Sequence, residues 1–356
     1  MENVTQYKCP ACGGALEFDS KSQKMKCPYC DSSWTMEEYE LLQKKEEEQK
    51  TAWHSQNESK WLPEETDSMR IYVCESCGGE IVADKNTGAT MCPFCGNKVT
   101  VKSQFEGDLR PDFVIPFKLD KKDAKNAYVN HLKGKRFLPK CFKSQNHIDE
   151  IKGLYVPFWV YDVESDASAN FRAEKVRSWR SGNKQYTETR FYEVERGANL
   201  VFKHIPIDSS KKMDDVLMES IEPFDFKDAV DFKTAYLAGY LADRYDVNIE
   251  QTKDRVMDRV EQSAKLALQN SVKGYDSVQL SNCTVNVEDA KFWYTLYPVW
   301  ILNTTWQGKN YIFAMNAQTG KMTGDLPCDT KAFWMSIVGL GSILSFVVVM
   351  MTYLFF

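Results

Sequence analysis

The far end of the chain differs in pattern from everything before it. From Ala332 to Phe356, AFWMSIVGLGSILSFVVVMMTYLFF, 25 residues pass without a charge. A helix needs about 20 apolar residues to cross a bilayer core, so this run predicts a transmembrane helix with length left for tilt. Upstream, residues 110–330 mix strand and helix patterns. LRPDFVIPFKL reads as extended, with prolines at its turns. KKDAKNAYVNHLKGK predicts a short helix that Gly134 ends. GLYVPFWVYDVES, ANFRAEKVRSW and KQYTETRFYEVERG read as strands, the last entered through a Ser181-Gly182-Asn183 turn. Residues 231–272 read as mainly helical, with Val256, Val260, Ala264 and Ala267 at helical spacing. CTVNVED, FWYTLYPVWILNTTW and YIFAMNA return to strand, with turns at Gln307–Asn310 and Gln318–Gly320. No βαβ unit repeats, so the pattern predicts an α+β body with a mainly antiparallel sheet and helices on one side. LYVPFWVYD at residue 154 resembles LYPVWILN at residue 296, through duplication or through chance recurrence of a Pro-aromatic strand.

Ahead of this body the pattern is set by cysteines. Eight of the chain's 11 cysteines lie in the first 95 residues, all in Cys-x-x-Cys pairs. Cys9, Cys12, Cys27 and Cys30 map onto Cys74, Cys77, Cys92 and Cys95 with a constant offset of 65. YKCPACGGALEFD answers YVCESCGGEIVAD, so an internal duplication is the simplest account. The predicted organisation is therefore a cysteine unit at 5–35, an acidic helical linker at 36–70, a second unit at 71–102, the body at 110–330 and the tail at 332–356. The linker holds ten acidic and five basic residues, and its net of −5 equals the net charge of the whole chain. It reads as a solvated spacer or as a docking helix for a partner.

Each cysteine unit has the form Cys-x2-Cys-x14-Cys-x2-Cys. Two cysteines three apart on a tight turn point both sulfurs at one ion, and two such knuckles complete a tetrahedral S4 shell. The residue after the second cysteine of a knuckle needs a left-handed or very open backbone. Gly13, Gly78 and Gly96 supply it, and Asp31 tolerates it better than most residues. Units of about 30 residues bury too little surface to fold alone, and a structural metal supplies what is missing. Zinc is the expected ion, with iron and thioredoxin-like redox use as the other readings. Because four ligands close a site, Cys9, Cys12, Cys27, Cys30, Cys74, Cys77, Cys92 and Cys95 are expected to hold two structural Zn2+ ions. Met1 to Lys8 is polar and reads as no secretory signal, which places the thiols on the reducing side of a membrane.

Charge weighs against nucleic acid as the ribbons' partner. Residues 5–35 carry four Lys and three acids, residues 71–102 three Lys and three acids, and neither segment has an Arg. A phosphate-binding module shows a basic stripe instead. Protein docking is the expected use. The sequence has no Gly-x4-Gly-Lys-Ser/Thr loop, no Gly-x-Ser-x-Gly elbow and no His-Glu-x-x-His. The four histidines are isolated, and Cys141 with His147 is the one imaginable nucleophile pair, with a packed cysteine and a surface histidine as the bland alternative. No enzymatic activity is expected. The tail reads as a single-pass C-terminal anchor in the cell membrane, with the N-terminal domains in the cytoplasm. Trp334 and Tyr353 fall near its ends, where interfacial aromatics gather, and Gly341 and Ser345 form one small-x3-small pair.

Two ribbons, an acidic spacer, GLYVPFWVYD, YLAGYLAD, YPVWIL, NAQTGKMTGDLP and an apolar tail together resemble a group of Bacillota zinc-ribbon membrane proteins. Its members carry names such as transcription-factor-IIB-type zinc ribbon protein or primosomal-helicase-like protein. The resemblance implies metal ligation at the eight paired cysteines and anchoring by the tail. Some members are encoded beside a phage-shock-protein-A homologue and an SPFH-domain protein, which implies a membrane complex that responds to envelope damage. The expected function is thus a non-enzymatic, tail-anchored adaptor with SPFH-type and phage-shock-type partners. The alternative is a membrane-tethered nucleic-acid-binding protein acting in replication or transcription.

Overall fold

The computed structural model describes residues 9–11, 14, 16–19, 24–35, 38–39, 53–55, 61–62, 65–66, 69–84, 91–104 and 109–355. Cys12, Gly13, most of the 36–70 linker and Phe356 lie outside the described residues. The chain is mixed α+β, with a mainly antiparallel sheet and an apolar C-terminal helix.

The first cysteine segment forms a small antiparallel sheet from β1 (Glu17–Asp19), β2 (Lys24–Lys26) and β3 (Ser33–Trp34). Within the linker, past the run MEEYELLQKKEEEQK that the sequence reads as helical, β4 is a strand (Trp53–Ser55). The second cysteine segment contributes β5 (Met69–Val73), β6 (Glu80–Asp84) and β7 (Thr100–Gln104), with β5 antiparallel to both others. After β8 (Phe113–Val114) comes α1 (Lys121–Leu132). Asp120 opens α1 with a reciprocal cap: its carboxylate accepts from the Asp123 N–H, and Asp123 accepts from the Asp120 N–H. The short helix α2 (Gln145–Ile148) precedes two long strands, β9 (Lys152–Ser181) and β10 (Lys184–Asp208). Next come α3 (Asp215–Ser220), β11 (Val230–Asp231), β12 (Leu241–Asp243) and α4 (Ile249–Ser271). The chain closes with β13 (Ser277–Trp306), β14 (Lys309–Asn316), β15 (Met322–Gly324) and α5 (Thr330–Phe355).

The chain divides into two compact units, one of residues 1–56, 161–203 and 258–292, the other of residues 57–160, 204–257 and 293–356. In the first unit β9 buries every second residue from Ala167 to Ala173, against Ala264 and Leu268 of α4 and Val272 just past its end. Three of those β9 positions are alanine, which lets a helix lie close over the sheet. The buried stripe of α4 runs Val256, Val260, Ala264 and Leu268, while Ala267, expected on it, is exposed. β4 pairs in parallel with β13, Trp53 opposite Ala290.

In the second unit the similar segments beginning at Leu154 and Leu296 lie on β9 and β13, which are neighbours in the sheet. Both are buried on two faces, and Phe158 stacks on Tyr297 with ring centroids 4.4 Å apart. β14 returns antiparallel to β13 through a tight turn in which Gln307 and Gly308 have φ of 51° and 75°. Two positive φ values in a two-residue hairpin loop match the right-handed twist of its strands. Residues 231–248 are not helical as the sequence suggested. They hold one 3-10 turn and β12, and the helix begins at Ile249. β12 is only three residues long, yet it pairs antiparallel with β6 and parallel with β9. Partners distant in sequence satisfy its backbone, and periodicity cannot report them.

Candidate metal centre

The better-described centre sits where two knuckles close on each other. The first leaves β5 at Cys74 and returns at Gly79, whose carbonyl accepts from the Cys74 N–H at 2.9 Å. Inside it the Gly78 N–H donates to the Cys74 carbonyl at 2.8 Å. The second repeats both bonds: the Cys92 N–H donates to Asn97 O at 2.7 Å, and the Gly96 N–H to Cys92 O at 3.0 Å. This fold of the chain requires a left-handed residue after the second cysteine, and Gly78 and Gly96 have φ of 70° and 74°. In the first cysteine segment Asp31 takes the same place with φ 58°, its N–H donating to Cys27 O at 3.0 Å. The sequence singled out all three positions for this conformation.

The sulfurs converge accordingly. Cys74, Cys77, Cys92 and Cys95 have their Sγ atoms within 4.8 Å of one another, as do Cys9, Cys27 and Cys30. Cys74 and Cys95 are 3.5 Å apart, Cys77 and Cys92 3.7 Å, and Cys9 and Cys30 3.6 Å. A tetrahedron with metal–sulfur bonds near 2.3 Å has edges of about 3.8 Å, so these separations fit one ion at each centre. They are far too long for disulfides, whose S–S bond is about 2.05 Å. Both clusters can therefore hold a metal ion, through four cysteines in one and at least three in the other.

Electrostatics makes the same demand. Burial pushes the Cys77 and Cys92 thiols up. At Cys95 burial also opposes ionisation, but hydrogen bonds from the Asn97 N–H and the neighbouring thiols outweigh it and bring the group down to about 7. Four thiolates packed this closely repel one another unless a cation sits among them. The centre is bound into the sheet of its unit by side chains. Lys152 donates to the Met91 carbonyl at 2.9 Å, Asn303 donates to Phe94 O, and Arg244 pairs with Glu80.

No protein-family model and no solved structure matches the chain. It is similar to the "uncharacterized protein YdjG" of Bacillus subtilis (strain 168), with 32% identity over 353 residues that cover 96% of each chain. The chain belongs to the YdjG family. The match extends over nearly the whole of both chains and is not confined to one segment.

The remaining sequence candidates of this YdjG-family chain are dispersed. The His147 ring contacts Thr304 Oγ1 at 2.5 Å through Nε2 and Glu150 at 3.2 Å through Nδ1, while Cys141 is exposed on the preceding 3-10 turn. Among the described residues no hydrogen bond joins Cys141 to His147. His131 contacts Gly324 O at 3.2 Å, and His204 stacks on Phe226 with centroids 4.2 Å apart.

Sequence reasoning missed a buried acidic group in the second unit. Asp208 is 2% exposed, and burial pushes its carboxyl up to about 6 despite Arg255, which donates to it at 2.8 Å. Asp243, 3% exposed at the end of β12, is pushed up to about 7 by burial, opposed by the Ser210 hydroxyl and the Arg244 N–H. Among the described residues its Oδ2 is buried without a hydrogen-bond partner. A carboxylate closing a Leu-Ala strand was the available signal, but it reads equally well as a surface cap. Because the folded carboxyl of Asp243 titrates above the unfolded one, the folded state keeps a proton that the unfolded chain releases between about pH 4 and pH 7. Its contribution to stability is therefore lost as pH rises through that window. Asp243→Asn is expected to be more stable than the wild type at pH 8, by about 4 kcal/mol at most, with the difference shrinking at pH 5. Urea midpoints of both proteins at the two pH values check this. A difference independent of pH would contradict it.

Proposed function

We propose that this chain is a membrane-anchored, non-enzymatic zinc-ribbon adaptor, in which two closed Zn2+ sites build protein-docking modules and α5 fixes them to the cell membrane. The observation that carries the reading is α5. Its segment Thr330–Met351 is long and apolar enough to span a bilayer, and none of it is buried against the rest of the chain. A helix apolar on every side and left uncovered beyond its first turn exposes far more hydrocarbon than a soluble surface tolerates. Its first turn is seated by Asp329, whose N–H donates to Phe137 O at 2.7 Å and whose carboxylate accepts from the Lys331 and Ala332 N–H groups at 3.1 Å. Phe333 packs edge-on against Phe137 at 5.3 Å.

The cysteine centres support the docking half of the reading. With four thiolates around one ion no coordination position is left for water or substrate, so the ion holds the knuckles and does no chemistry. Zinc is the ion we assign, since thiolate tetrahedra suit it and it brings no redox activity. The resemblance to tail-anchored zinc-ribbon proteins of Bacillota supplies the partner classes, an SPFH-type scaffold and a phage-shock-type coat protein in an envelope-stress complex. Thiolate ligands persist in a reducing compartment, which supports a cytoplasmic side for the N-terminal modules.

Native electrophoresis of a mild-detergent membrane extract tests the adaptor role. The chain is expected in an assembly well above its own 41.0 kDa plus micelle. Migration as the isolated chain would count against an adaptor. Metal analysis of the purified protein is expected to give two zinc ions per chain, and one or none would contradict paired closed sites.

A further inference from the structure

The turn between β9 and β10 carries a patch that neither the metal centres nor the anchor uses. Residues 175–190 hold five cations (Lys175, Arg177, Arg180, Lys184 and Arg190) and one carboxylate, Glu188, in a chain whose net charge is −5. Residues 175–187 are all exposed, and among the described residues only Arg190 of the five cations is ion-paired, to Glu188 at 2.8 Å. Two aromatic rings stand among the charges. Trp179 and Tyr186, both 44% exposed, stack across the hairpin at 5.7 Å and 14°. The Arg177 guanidinium lies 5.9 Å from the Trp179 ring. Below them, Lys175, Arg177, Arg190 and Tyr192 line a groove of about 330 Å3 together with the carboxylates of Glu188 and Asp276, so the excess of cations lies toward the tip and not in the groove.

Nothing in folding calls for this arrangement. Apolar core residues stop at Ala173 on β9 and Val194 on β10, and the hairpin continues beyond them with cations and amphipathic rings in solvent. Unpaired cations around exposed rings suit a surface that offers dense phosphate beside a hydrocarbon boundary, where Trp and Tyr settle at headgroup level. The tip itself, Ser181-Gly182-Asn183-Lys184, is polar and charged, which favours lying on headgroups over inserting among acyl chains. The two rings stack on each other, so each has one face covered and only the other to offer a partner. At a Debye length of about 8 Å the patch acts only at close range, and net repulsion from the rest of the chain must first be overcome. A chain held at a membrane meets that condition.

We infer that the β9–β10 hairpin is a second membrane contact, a docking surface for the phosphate headgroups of an anionic phospholipid bilayer. It rests on the membrane-anchored reading and adds to it. The apolar helix fixes the chain to any bilayer, and the hairpin selects anionic lipid and draws its own unit onto the headgroups.

The test uses full-length protein incorporated into vesicles of phosphatidylcholine alone or mixed with phosphatidylglycerol. Chymotrypsin cleavage after Trp179 and Tyr186 reports on the hairpin, and flotation with the vesicles reports on the anchor. Cleavage is expected to slow at least tenfold in the phosphatidylglycerol vesicles and to recover at high salt. Replacing Arg177→Gln and Lys184→Gln together is expected to remove that protection, at about fivefold per cation. Both positions are exposed on the strands of the hairpin, so these changes leave the fold intact, and the salt response of the wild type is an independent check. Equal cleavage in both vesicle types, with the chain fully incorporated, would overturn the hairpin assignment alone. Failure to float with either type would overturn the anchor and this inference with it. Protection by an added single-stranded oligonucleotide, without protection by phosphatidylglycerol, would reassign the surface to nucleic acid and overturn the lipid docking.

Discussion

Replacing Cys92 with serine is expected to collapse the second cysteine segment and to unfold the sheet edge built on it. Cys92 is 1% exposed and faces Cys77 at 3.7 Å, so serine removes a thiolate from the middle of the shell. Structural zinc in small domains supplies on the order of 10 kcal/mol of folding free energy, and a three-ligand remnant keeps only part of it. The damage spreads because β6 pairs with β12 and β12 with β9, which carries core residues Leu154, Val156 and Phe158. A loss of about 4 kcal/mol or more follows, enough to unfold a domain of ordinary stability. Thermal unfolding of the detergent-solubilised protein checks this, with a strong chelator expected to reproduce the effect in the wild type. Serine at Cys141 or Cys328, both exposed and outside the clusters, is expected to leave the melting temperature unchanged. A Cys92→Ser protein that melts with the wild type would contradict a structural metal.

Removal of residues 330–356 is expected to turn a membrane protein into a soluble one. Between Ile337 and Val349 the helix carries nine Leu, Ile, Phe or Val residues. At about 0.3–0.6 kcal/mol each, these supply roughly 3–5 kcal/mol toward insertion. Lys331 is the helix's sole charge and lies in its first turn, where a long side chain reaches the headgroups. Full-length protein should stay with membranes through carbonate and high-salt washes, and the truncated chain should leave them. The truncated chain should also remain folded, because none of the span Thr330–Met351 is buried and Asp329, which seats the helix on Phe137, is retained. Full-length chain in the soluble fraction would sink the anchor.

What could be read in advance was what local chemistry fixes. Spacing within each Cys-x2-Cys pair set the knuckles, and the left-handed residues followed from them down to Asp31. The Gln307–Asn310 turn and the apolar tail were legible for the same reason, since each depends on its own few residues. What depends on distant pairing was not legible. β12 is three residues of ambiguous composition, fixed in place by strands roughly 90 and 160 residues away in sequence. β9 read as two strands and is one of 30 residues, because its burial changes from both faces to one face midway, and the pattern changes with it. The β9–β10 patch was hidden in the sequence among ordinary surface charges. Lys175, Arg177 and Trp179 alternate along β9, and the pairing of Trp179 with Tyr186 sets them beside Lys184 and Tyr186 of β10.

The adaptor reading is tested most directly by purifying tagged full-length protein from detergent-solubilised, nuclease-treated membranes and identifying what accompanies it by mass spectrometry. The account predicts SPFH-type and phage-shock-type membrane proteins, retained by the full-length chain and lost with Cys92→Ser. Recovery of replication or transcription proteins in their place would contradict it.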